Sequence, residues 1–191
     1  MTRFNPRTPA VLALLLAVAA LRVIFSTDPH LSPLAVFTPI GAMALFGGAC
    51  FSNRVKAFGW PLLTLWISDL LLDRFVFYGH WRLFYENFYW TYGAFALMVV
   101  TGRLLLRKVT VTRVLLATVL SVLIHWIVTD FGVWLEGTMY PKTGAGFVEC
   151  LVAAIPYERF VLAGTLVYGT ILFGSFAWMN RHHRALQPAI Q

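Results

Sequence analysis

The chain has 191 residues, 59% of them hydrophobic and 12% charged. Soluble domains run nearer half apolar and a quarter charged, so this composition excludes an ordinary water-soluble fold and points to lipid as the solvent. The net charge of +7 is scattered between apolar runs and builds no basic face, which argues against nucleic acid as a partner.

A span needs roughly 20 apolar residues to cross about 30 Å of hydrocarbon. Six runs offer themselves, at 9–25, 34–51, 58–78, 88–101, 114–134 and 160–179. They predict an all-α integral membrane protein, a bundle of six transmembrane helices forming one domain over residues 1–191. The first run follows Arg3 and Arg7, and with no clean small-residue cleavage site behind it, it reads as a retained helix rather than a signal peptide. Its Ala13 and Ala17 stand four apart, a spacing that lets another helix approach closely. The second run contains Pro39, Gly41, Gly47 and Gly48, so its start is expected to be broken or re-entrant under protein cover. The fourth run is short and can extend through Gly102 to Leu106. In the last connection, residues 147–155 are apolar and closed by Pro156, which predicts a short interfacial or re-entrant helix over the outer end of the bundle. Cys50 and Cys150 lie in different segments and form no CxxC pair, so neither a disulfide framework nor a zinc site is indicated.

Orientation follows from Lys and Arg in short loops. With both termini in the cytoplasm, ten basic residues fall inside: Arg3, Arg7, Arg54, Lys56, Arg103, Arg107, Lys108, Arg113, Arg181 and Arg184. Four fall outside, namely Arg74, Arg82, Lys142 and Arg159, while Arg22 lies in the outer part of the first span. The eight acidic residues all belong to outer loops or to spans. The expected location is a bacterial inner membrane, crossed several times, with the polar chemistry facing away from the cytoplasm.

An ionisable group at the bilayer centre costs several kcal/mol on insertion scales, so Asp69 in mid-span points to a cavity. Asp73 is one helical turn on and shares its face, making a stripe with Trp66, Phe77 and His80. His125 in the fifth span is at a depth similar to Asp69, with Asp130 nearer the surface. Two readings stand for Asp73 and Asp130: site residues, or acids that Arg22 neutralises as helix glue. Residues 75–92 hold ten aromatics in eighteen positions. They suit an interfacial belt, and equally a loop that covers a large, partly apolar ligand. By spacing alone His30 and His80 read as solvated loop residues. Proton or ion carriage through Asp69 and His125 is an alternative function. So is an intramembrane enzyme using Asp69, His125 and Asp130, although no GxSxG or HExxH motif is present.

Three stretches carry a resemblance: FTPIGAMALFGGACF at 37–51, SDLLLD at 68–73, and HWIVTDFGVWLEGTMYPKTGAGFVECLVAAIPYERFVLAG at 125–164. The chain resembles a family of small bacterial membrane proteins of supposed transport function. That family is similar in architecture to the S-components of energy-coupling-factor vitamin transporters, and its nearest branch is the solitary cobalamin transporters. The resemblance implies six helices, an extracytoplasmic ligand site, and an Ala-xxx-Ala patch that meets an energising module, here Ala13 and Ala17. It implies His30, Asp69, Tyr85 and Arg159 as ligand-binding residues, beside Asp73 from the stripe. Where the branch has an outer-loop cysteine that ligates cobalt, the corresponding position here is His80. Cobalamin enters as the transported ligand and no resident cofactor is implied. The chain has no ATP-binding P-loop, so an ATP-driven step would need partner proteins.

Overall fold

A computed structural model describes residues 7–27 and 37–182, and among them every regular element is helical. Six α-helices follow one another: α1 Arg7–Thr27, α2 Ile40–Cys50, α3 Arg54–Leu72, α4 Phe88–Leu105, α5 Val111–Glu136 and α6 Gly144–His182. Four stretches are long and apolar enough to cross a membrane: Thr8–Ser26, Arg54–Phe77, Val111–Glu136 and Gly144–His182. The fourth run does extend as its sequence allows, giving α4 eighteen residues and about 27 Å of length.

The second run forms a short helix: eleven of its described residues are helical, about 16 Å, and ten of those are buried. The helix begins after Pro39, whose carbonyl accepts from the Met43 amide at 2.9 Å. A half-length helix leaves backbone polar groups at membrane depth, which hydrocarbon tolerates only where protein covers them. α2 packs against all five other helices, and Phe46, Met43 and Leu45 are among the most deeply buried side chains. Two glycines let it touch α4 backbone to backbone. A Cβ added at Gly48 would fall on the Val99 carbonyl, and one added at Gly102 would lie 2.5 Å from the Leu45 oxygen. Gly48→Ala should therefore cost roughly 1–3 kcal/mol, because a backbone obstacle cannot rotate away. Gly59→Ala, which meets open space, should be neutral or stabilising. Thermal melts in detergent separate the two.

Local chemistry fixes the other ends. Asn53 caps α3 by accepting from the Val55 and Lys56 amides at 2.8 and 3.3 Å. Thr110 caps α5 by accepting from the Arg113 amide at 3.3 Å. α3 runs on as a widened π-helical turn, Asp73–Phe77, closed by the Tyr78 amide on the Asp73 carbonyl. Such turns recur at functional sites. Asn87, with φ of 62°, makes the reversal into α4; asparagine is among the few residues that adopt this conformation cheaply.

The expected separate helix at 147–155 is instead the first part of α6, which is 39 residues long with Pro156 inside it. Proline leaves one carbonyl without a helical donor but need not end a helix when neighbouring groups supply donors. Here α5 packs along that turn, with Trp126 Nε1 donating to the Leu151 carbonyl at 3.0 Å, one residue before the Val152 carbonyl that Pro156 leaves without a helical donor. At about 58 Å, α6 exceeds the hydrocarbon thickness, so one end of it stands clear of the bilayer core.

Candidate functional site

The polar centre of the bundle joins three helices. Arg22 of α1 donates to Asp69 Oδ1 and to Ser68 Oγ of α3, each at 2.6 Å. Tyr92 of α4 donates to the other Asp69 oxygen at 2.9 Å. The Arg22 and Asp69 side chains are 14% and 11% exposed, so the pair is desolvated and each charge needs the other. Beside it lies a cavity of about 290 Å³, lined by Arg22, Asp69, Leu72, Asp73, Phe77, Tyr78 and Tyr85.

Asp73 is the second acid of the stripe and the more telling one. It is 4% exposed, yet its carboxylate makes no hydrogen bond or ion pair with any described residue. The sequence pointed Asp69 at a cavity and left Asp73 open to neutralisation by Arg22. In the structure Arg22 bonds Asp69, and Asp73 lines the cavity with no hydrogen-bond partner among the described residues. Arg82, His80 and Arg22 lie within electrostatic range of it. Tyr85 supplies a neutral phenol at the mouth: burial pushes its ionisation up to about 12.

The aromatic segment is partly structural and partly open. Phe84 stacks on Phe88 at 4.3 Å, and both rings pack on Tyr92, so the cluster steadies the phenol that holds Asp69. Trp66 Nε1 donates to the Leu83 carbonyl at 2.9 Å and ties the segment to α3. Phe77, Tyr78 and Trp81 remain exposed, with the Arg82 guanidinium 4.4 Å over the Tyr78 ring.

His80 is exposed in this segment and does not line the cavity. Its Nδ1 lies 2.9 Å from the Tyr78 carbonyl, which can only accept, so Nδ1 carries the proton. The Nε2 lone pair is thereby left for another partner. His30 lies outside the described residues. Arg159 is not brought to the cavity: it sits on α6, 4.8 Å over the Phe160 ring, lining a separate groove between α5 and α6. Ala13 and Ala17 are exposed on the outer face of α1.

The sequence reading missed two contributors. Tyr92 was one aromatic among ten, with nothing to single it out. Glu158, read as part of the outer connection, is 8% exposed, and its Oε1 lies 2.9 Å from His125 Nδ1 while Oε2 has no partner. His125 and Asp69 are thus engaged separately, and no hydrogen bond links them. Asp130, close enough to sense Glu158 and His125, meets Cys150, whose Sγ lies 3.6 Å from its carbonyl oxygen.

Apolar helices long enough to span, with a desolvated ion pair and a polar cavity set among them, define a helical membrane protein. Residues 2–187 match the family DUF6580, described as a family of unknown function, and the chain belongs to that family. No curated protein and no solved structure matches the chain. Nothing in the family description indicates an enzymatic function.

Proposed function

We propose that the chain is the substrate-binding subunit of a membrane transporter, S-component-like, which takes up a vitamin-like ligand, foremost cobalamin, from the extracytoplasmic side of a bacterial inner membrane. The observation that carries this reading is Asp73, a buried carboxylate without a described partner, set in a cavity beneath exposed aromatic rings. A ligand that brings hydrogen-bond donors gives that carboxylate a partner that no described residue supplies. The cavity, at about 290 Å³, takes an amide-bearing arm and not a whole corrinoid. The ring system would lie above it, against Phe77, Tyr78 and Trp81.

His80 fits the same ligand. No group of three or more His, Cys, Asp or Glu side chains among the described residues could hold a metal ion. A lone imidazole with a free Nε2 suits a metal whose other ligands travel with it, as cobalt does in a corrin. The six-span topology with cytoplasmic termini belongs to the proposal and is supported by the ten-to-four basic asymmetry. The outward Ala13 and Ala17 are the face on which an energising module would dock.

The experiment is the visible spectrum of protein-bound cobalamin in wild type and in His80→Ala. Coordination through Nε2 requires the bands to shift in the variant. An unchanged spectrum with retained affinity removes His80 from the cobalt. A second reading, a proton or ion carrier, is favoured by the buried His125–Glu158 pair. It demands pH-dependent flux in liposomes without any organic ligand, whereas the uptake reading expects none.

A further inference from the structure

At the opposite end of the bundle from the aromatic segment, the α2–α3 junction and the end of α4 enclose a second cavity, of about 610 Å³. Three arginines line it: Arg54, Arg103 and Arg107. Arg103 is held in place by the Phe51 and Ser52 carbonyls, which accept from its guanidinium at 3.2 and 3.0 Å. Arg54 and Arg107 are exposed and make no hydrogen bond or ion pair with any described residue. Among the described residues no carboxylate lines the cavity, and three guanidinium groups share it without a described counter-charge.

The remaining walls are apolar, formed largely by Phe51, Phe58, Val100 and Leu104. Val100 and Leu104 continue into Leu97 as an exposed stripe spaced three and four residues apart, hence on one face of α4. That stripe runs from the basic cavity back along the spanning part of the helix. A soluble anion would use the arginines and leave this apolar path empty. A molecule with a phosphate at one end and a hydrocarbon chain at the other uses both. Guanidinium forks match phosphate oxygens in geometry and charge, and basic pockets between helices at the positive side of a membrane suit anionic headgroups.

We propose that this cavity binds one anionic phospholipid, its phosphodiester among Arg54, Arg103 and Arg107 and an acyl chain along the exposed α4 stripe. The assignment is independent of what occupies the Asp73 cavity, since it uses none of the same residues.

The test uses the full chain purified in an uncharged detergent and stripped of lipid. Phosphatidylglycerol, phosphatidylcholine with the same acyl chains, and inorganic phosphate are titrated separately, with melting temperature and native mass spectrometry as readouts. Phosphatidylglycerol should raise the melting temperature saturably and leave one lipid adduct, while the other two should do neither. Arg54→Gln combined with Arg107→Gln should weaken the effect roughly tenfold or more. Arg103 is left intact because it also holds backbone. Lys56→Gln, a basic residue outside the cavity, should leave the adduct unchanged. Phosphatidylcholine acting as well as phosphatidylglycerol would overturn the site, and inorganic phosphate doing so would overturn the lipid assignment. An equal loss in Lys56→Gln, or full binding by the double variant, would show mere surface attraction and overturn it too.

Discussion

Asp73→Asn should lower ligand affinity by roughly 10- to 100-fold while leaving the protein at least as stable as wild type. A hydrogen bond to a charged group is worth about 1.5–3 kcal/mol, and each 1.4 kcal/mol is a factor of ten in affinity. Stability should not suffer, because the carboxylate has no described partner to lose and the amide carries no charge to desolvate. Equilibrium binding and a thermal melt on the same preparation give both numbers. A large drop in melting temperature would instead mark Asp73 as a structural residue with a partner in the folded state.

Arg22→Met should do the reverse and cost about 3–5 kcal/mol of stability, since it strands a desolvated carboxylate on Asp69 with Tyr92 as its one remaining partner among the described residues. Removing the second charge as well, with Asp69→Leu, should recover most of that loss, because two apolar side chains carry no desolvation penalty. The quantity to measure is the coupling between the two sites in a double-mutant cycle of melting free energies. If Arg22→Met alone melted like wild type, the ion pair would not hold α1 to α3.

The two substitutions separate acids of which the sequence could not say which one meets Arg22. Asp69 and Asp73 are one turn apart on one helix face, so their shared stripe and the cost of placing them in lipid were both readable. Which one meets Arg22 depends on how α1 is turned and slid against α3. That register is set by packing of side chains far apart in sequence and leaves no local mark. The late start of α2 was legible for a local reason: Pro39 has no amide proton to donate and suits a helix start rather than its interior. What Gly48 is for, a close approach to α4, became visible only with the Val99 carbonyl across from it.

Pro156 misled in the other direction. A proline after an apolar run signals a stop in a chain of unknown environment, but beside α5, with Trp126 donating at the neighbouring turn, the helix continues through it. That continuity buries Glu158 against His125. Arg159, the next residue, is turned about 100° around the helix, onto the α5–α6 groove and away from the Asp73 cavity.

The most direct measurement is the absorption spectrum of the protein after incubation with cobalamin and removal of free ligand by size exclusion. Corrin bands at one equivalent per chain, reduced in Asp73→Asn at the same ligand concentration, are the predicted result. A protein peak without corrin absorbance, at ligand concentrations that saturate known vitamin carriers, would contradict it.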